Sequence, residues 1–483
     1  MLFNSLEFLI FLIATFILYW FVTNQNLKSQ NLLVVFVSYI FYGWWDWRFL
    51  GLILISTIVD YLVGIQLSKQ EAIRIRKVLL GISIIVNIGI LGFFKYFNFF
   101  IDNFITAFSF LGFQLKAPSL NIILPVGISF YTFQTLSYSI DVYRKKIKSS
   151  NDFIAFAAFV CFFPQLVAGP IERAANLLPQ FHKKRAFQYN IASDGCKQIL
   201  WGFFKKIVIA DNCAVYVNLI FGEPLKYSGS TLVLGALLFS FQIYGDFSGY
   251  SDIAIGVSKL FGIKLNRNFA FPYFSRDIAE FWRRWHISLT SWFRDYIYIP
   301  LGGSQCKSWK KIRNTILIFI ISGFWHGANW TFIIWGAINA LYFMPLLLMN
   351  KNHTSVSIVA KNHIIPGIKE IVGILITFCL TTFSWIFFRA ESLENAIIYI
   401  TGIFNKSIFT KPEFISKKEA LPTIILLIFF IIVEWIGRKN VHTLSKLFRK
   451  EKRLLQYVFY VGIISLIGLF MVVNGSEFIY FQF

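Results

Sequence analysis

Uncharged stretches recur along the whole chain, and no other feature limits its possible folds as strongly. They cover residues 8–22, 31–45, 49–67 (with Asp60 alone inside), 78–94, 117–140, 153–171, 229–245, 314–350, 371–388, 420–433 and 454–476. Runs of this length and number match helices that cross a hydrocarbon layer roughly 30 Å thick. In such a solvent the backbone must satisfy its own hydrogen bonds, which leaves helices or a closed barrel. The runs are apolar on every face rather than alternating, so the expected class is all-α. About 11–13 membrane-embedded helices, counting interrupted ones, form a single domain over 1–483. Composition agrees, because 57% of residues are hydrophobic and only 14% charged, against about 25% charged in soluble domains. A soluble enzyme, a disordered chain and a secreted disulfide scaffold are excluded. The five cysteines lie far apart without metal-ligand spacing and read as buried small apolar residues, with no metal site.

The 46 Lys+Arg against 24 Asp+Glu suit either nucleic-acid binding or the cytoplasmic loops of a polytopic membrane protein. Their distribution favours loops. Residues 68–77 and 144–148 hold four basic residues each and 438–453 hold seven, whereas 389–419 hold five over about twice that length. The first three are therefore expected on the cytoplasmic side, with both termini outside. The first apolar run has no basic segment before it and no small-residue cleavage site, so it reads as a retained span.

Two runs resist a simple count. The stretch 153–171 lies between basic flanks and is broken by Pro164 and Gly169-Pro170, which suggests a re-entrant element beside an internal chamber. The run 314–350 is interrupted by SGFWHGANW. Twelve helical residues from 314 to 325 span about 18 Å, which sets His326 deep in the membrane if the basic residues before it mark the surface.

An ionisable side chain at that depth is a functional candidate. The competing reading is a neutral imidazole hydrogen-bonded between helices, with Gly323, Gly327 and Ala328 allowing close packing. In FWRRWHISLTSWFRDYIYIP (281–300), helical spacing puts Arg283, His286, Thr290 and Arg294 on one face. Spacing alone makes that an interfacial helix with His286 as a bystander. His182, His353, His363 and His442 read as solvated loop residues. In QIYGDFSGYSDIAIG (242–256), Asp246 and Asp252 flank a Gly-Ser-rich segment expected to break a span. They line a chamber in one reading and hydrogen-bond the broken helix in the other. Phosphate-binding loops and a nucleophile elbow are absent from the sequence. An intramembrane histidine and broken helices also fit a transporter, although the two related halves often seen there are missing.

FWRRWHISLTSWFRDYIYIPLGG (281–303), ISGFWHGANWTFIIWGAINAL (321–341) and FFPQLVAGPIER (162–173) together closely resemble the membrane-bound O-acyltransferases. Within that family they resemble the bacterial branch that O-acetylates alginate, peptidoglycan and other polysaccharides. The branch that D-alanylates teichoic acid is a more distant cousin. PVGISFYTFQTLSYSIDVYR (125–144), QIYGDFSGYSDIAIG and the terminal FIYFQF (478–483) extend the likeness over the chain. The resemblance implies helices around a thin central chamber, with His326 as the essential histidine and His286 as the second. Trp325, Asn329, Arg283, Asp246 and Asp252 are candidate substrate-binding residues. The implied donor is acetyl-CoA, drawn by a basic rim (Lys183, Lys184, Arg185, Lys205, Lys206, Arg283, Arg284, Lys310, Lys311). The implied setting is the bacterial inner membrane and its lipid. A periplasmic or extracellular acetyltransferase would act on the polysaccharide acceptor, docking on outer loops or near 478–483, and nucleic acid has no part.

Overall fold

Polar side chains cap several helix ends and meet the backbone groups freed where helices break in this protein. The computed structural model describes residues 1–110, 112, 120–167, 169–352, 357–416, 418–447, 453–472 and 478–479. His353 and residues 480–483 lie outside them. The described residues are helical with no strand, and the chain is a polytopic all-α membrane protein. Among the described residues, five helical segments are long and apolar enough to span a bilayer: Leu27–Lys69, Ile73–Phe110, Gly229–Leu260, Trp330–Leu348 and Ile368–Arg389. The first joins two 20-residue helices through a 3₁₀ turn at Trp47–Phe49. Shorter apolar helices occupy Leu6–Val22, Leu393–Ile403, Leu421–Gly437 and Arg453–Leu469. Large apolar side chains such as Phe21, Ile85, Leu375 and Ile425 are exposed on these helices, as expected where lipid is the neighbour.

Contacts divide the chain into two compact units. One comprises Met1–Gly195 with Ala254–Asn266, and the other Cys196–Ile253 with Arg267–Phe483. In the first unit the helix Ile128–Tyr143 is buried along almost its whole length. A polar knot ties it to Leu50–Lys69 and Ile73–Leu91. Asp60 accepts from Asn87 Nδ2 at 2.7 Å, from Ser139 Oγ at 2.5 Å and from Ser83 Oγ. A carboxylate with three donors is tolerable in an apolar interior, where a lone one is not.

The broken run near residue 160 also belongs here. It forms two short helices, Phe153–Cys161 and Phe163–Leu166, and residues 155–167 are all buried. The break frees the Phe159 carbonyl, which accepts from Gln134 Nε2 at 2.5 Å and Gln165 Nε2 at 3.0 Å. The Phe163 N–H donates to Ser38 Oγ at 3.1 Å. Irregular backbone therefore sits within protein, as hydrocarbon demands.

The second unit departs from the sequence expectation at 242–256. Gly229–Leu260 is one unbroken 32-residue helix, because Gly245 and Gly249 serve close packing and do not break it. A Cβ on Gly245 would come 2.9 Å from the Lys205 carbonyl oxygen, and one on Gly249 2.8 Å from that of Gly202. The run 314–350 is a hairpin of Ser308–His326 and Trp330–Leu348. Its two helices meet at glycines: a Cβ would stand 2.2 Å from the Phe332 oxygen at Gly323 and 2.3 Å from the Phe319 oxygen at Gly336.

Replacing Gly336 by Leu should force this hairpin apart, at a cost of about 1–3 kcal/mol or more from overpacking. Thermal unfolding of the detergent-solubilised protein should show a lowered midpoint for Gly336→Leu. The midpoint should be unchanged for Gly462→Ala, where a Cβ meets open space. Equal midpoints for the two variants would contradict the close packing.

Candidate active site

The helix Ser308–His326 ends because Gly327 is extended and Asn329 caps the next helix, its side-chain oxygen accepting from Thr331 N at 3.0 Å. His326 is thereby fixed on the last helical turn and is 4% exposed. Aromatic rings surround it, with centroids at 4.8 Å for Trp325, 5.3 Å for Trp335 and 5.3 Å for Phe388, all edge-on.

His286 reaches the same place through a break in the 281–300 segment, which the sequence read as one helix. The structure has Ile278–Arg284 and Ile287–Phe293, with His286 between them at φ 42°, ψ 53°. A non-glycine residue in this left-handed region costs about 1–2 kcal/mol, so the surroundings must hold it. Asn268 does so with backbone and side chain. Its carbonyl accepts from Ile287 N at 2.9 Å, and its Oδ1 accepts from Ser288 Oγ at 2.9 Å and Ser288 N at 3.3 Å. Because a backbone N–H can only donate, the Asn268 atom facing it is the oxygen. The same oxygen lies 3.1 Å from His286 Nδ1, which makes Nδ1 the protonated nitrogen of that contact.

The two imidazole centroids are 6.5 Å apart, and both rings line one cavity of about 550 Å³, within the roughly 300–1,000 Å³ of ordinary ligand sites. Its walls are largely apolar, from Trp282, Trp285, Ile318 and Phe319. Arg283, Thr290, Arg294, Tyr298 and Ser322 supply polar groups. Arg283, His286, Thr290 and Arg294 thus share a surface as the sequence spacing suggested, although two helices and a π-turn (Arg294–Tyr298) present it.

The other candidates are placed differently. Trp325 is buried against His326 and is not among the cavity-lining residues. Asn329 caps its helix and donates to the Glu391 carbonyl at 2.9 Å. Arg283 lines the cavity and donates to the Asn352 carbonyl at 2.7 Å. Asp246 and Asp252 do not line it. Asp246 and Asp211 hold the buried ammonium of Lys206 at 2.8 and 2.9 Å, while Asp252 pairs with Lys205 and accepts from Gln198 at 2.7 Å. Lys205 and Lys206 therefore do not belong to an accessible basic rim. The same holds for Arg284, paired with Glu280 at 2.6 Å, and for Arg185, which is buried. Lys183, Lys184 and Lys310 are exposed. His182 and His363 are exposed; His442 lies in a loop as expected, but it is buried there and not solvated. Of the cysteines, Cys161 and Cys213 are buried, whereas Cys196 and Cys379 are exposed. Sequence reasoning missed Asn268, which no motif marks, and Tyr298 and Ser322.

A model of the membrane-bound O-acyltransferase family matches residues 9–387. The chain belongs to this family. It is accordingly an O-acyltransferase, and the transporter reading falls away. A probable alginate O-acetylase of Pseudomonas aeruginosa is 39% identical over 400 residues, covering 82% of this chain and 73% of that protein. A peptidoglycan O-acetyltransferase of Helicobacter pylori is 35% identical over 432 residues, covering 83% and 80%. A teichoic acid D-alanyltransferase of Bacillus subtilis is 29% identical over 295 residues, covering 58% and 73%.

For this O-acyltransferase, Lys206→Met should leave two buried carboxylates without their cation, a loss of about 3–5 kcal/mol. Little folded protein should be recovered by size-exclusion chromatography. Combining it with Asp211→Asn and Asp246→Asn should restore much of that yield; no recovery would mean that the charges are not what the site balances.

Proposed function

We propose that the protein transfers an acetyl group from a cytosolic thioester, acetyl-CoA, to a hydroxyl acceptor, supporting O-acetylation of a cell-envelope or secreted polysaccharide. The observation that carries this reading is the pair of buried imidazoles lining one largely apolar cavity. His326 takes the acceptor's proton, and the hydroxyl oxygen bonds to the thioester carbonyl carbon. The carbon–sulfur bond then breaks, and the departing thiolate recovers the proton from the His326 imidazolium. His286, oriented through Asn268, holds or polarises the acyl carbonyl. Aromatic walls keep water from the reacting centre.

The named relatives favour acetyl over D-alanyl, since the acetylating proteins share more identity over more of the chain. The setting is the bacterial inner membrane. An extracytoplasmic acetyltransferase partner on the outer loops places the groups on the polymer, consistent with the polysaccharide named for the alginate relatives; Phe478, expected to help dock it, is fully buried against Phe247 and Tyr250 and offers no surface.

His326→Ala should lower acetyl transfer by about 10²–10⁴-fold, the range of a general base, while inserting normally. Wild-type O-acetylation in cells carrying this variant would end the proposal. Asn268→Ala should lower kcat about tenfold with KM nearly unchanged, equivalent to losing a hydrogen bond of about 1.4 kcal/mol. Asn268→Asp, which keeps an acceptor oxygen, should recover activity. Failure of that rescue, or a change confined to KM, would argue against a positioning role.

A further inference from the structure

A second, smaller cavity of about 300 Å³ lies wholly within the unit of Met1–Gly195 and Ala254–Asn266, and its charge is one-sided. Lys183, Lys184, Arg185, Lys259 and Lys264 line it together with Trp20. Among the described residues, Lys259 alone of these is neutralised, by Asp194 at 2.6 Å. Lys183, Lys184 and Lys264 make no ion pair among the described residues. Arg185 is 5% exposed, and its partners are neutral: Nε donates to Gln30 Oε1 at 3.1 Å and Nη2 to Asn31 Oδ1 at 2.6 Å. The rings of Tyr19 and Phe181 flank it at 5.5 Å. Its Nη1 is buried with no hydrogen-bond partner among the described residues. A buried guanidinium keeping one donor unsatisfied in a cationic cavity is suited to a multivalent oxyanion.

The frame is built rather than incidental. Trp20 Nε1 donates to the Leu260 carbonyl at 2.9 Å. The Gln180 side chain pairs with both backbone groups of Lys264 at 2.9 Å. The cavity also adjoins one end of an apolar helical segment. Trp20 sits two residues before the end of the apolar helical segment Leu6–Val22, where Ile17, Phe21 and Val22 are exposed. Phe187, on the cavity wall, is 49% exposed. Aromatic rings and lysines at the end of an apolar helix mark the headgroup level of a bilayer.

We infer that this cavity binds the phosphate of an anionic phospholipid headgroup, with the acyl chains lying along the Leu6–Val22 segment. Such a lipid would be a structural ligand of the first unit, independent of acyl transfer.

Native mass spectrometry of the full detergent-purified chain tests this, with phosphatidylglycerol or phosphatidylcholine as the added lipid. Phosphatidylglycerol should be retained in preference, and the triple variant Lys183→Ala/Lys184→Ala/Lys264→Ala should weaken its binding by roughly tenfold or more, since each basic side chain near a lipid surface contributes about 1 kcal/mol. Adenosine 3′,5′-bisphosphate at millimolar concentration should not displace it. Equal retention of the two lipids, or unchanged retention in a folded triple variant, would overturn the inference. Binding of the bisphosphate with the same variant sensitivity, and no lipid preference, would overturn the lipid source. Arg185→Gln adds a check on the buried donor: if it folds, it should lose phosphatidylglycerol retention, and full retention would count against the site.

Discussion

Hydrocarbon offers no hydrogen bond to a broken helix, so every departure from helical regularity here must be repaired by a side chain. The Phe159 carbonyl, released between two short helices, is met by Gln134 and Gln165. The left-handed turn at His286 is held by both the carbonyl and the side chain of Asn268. The end of the His326 helix is followed at once by the Asn329 cap. Polar residues in this chain are few, and many of those inside it sit at such repairs. Two of these interruptions bring imidazoles to the wall of one cavity.

Buried charge follows the same rule. Asp60 takes donors from two neighbouring helices, Glu434 accepts from Trp201 at 2.8 Å and Tyr244 at 2.7 Å, and Lys206 lies between two aspartates. These knots tie together helices whose outward faces gain nothing from packing against each other rather than against lipid. They also explain why counting lysines and arginines overstated the accessible basic surface.

Much of the architecture was legible in the sequence because lipid leaves so few alternatives: long uncharged runs, basic loops, and one histidine where charge is costly. His326 could be singled out on helix length alone. The details that failed share a cause. Gly245 and Gly249 signal either a break or a close approach, and only the neighbouring helix at Gly202 and Lys205 decides between them. The 281–300 segment kept its amphipathic spacing through a left-handed residue, so the periodicity concealed the turn. Asn268 lies 18 residues before His286 with no pattern linking them; their contact exists only once the chain is folded. For Asp246 and Asp252 the sequence offered chamber lining or hydrogen bonds to a broken helix; they are instead counter-ions to Lys206 and Lys205, which are not adjacent to them in sequence.

The rings around His326 bear on a choice every acyltransferase faces. Water is itself a hydroxyl acceptor, abundant and small, and an activated acyl group reaching a base in open solvent is hydrolysed rather than transferred. Trp282, Trp285 and Phe319 on the cavity wall, with Trp335 and Phe388 against the imidazole, place apolar surface beside that imidazole, while the polar groups of the cavity lie on other parts of its wall. In the proposed mechanism the aromatic shell would set the partition between transfer and waste, separately from the speed of the chemical step.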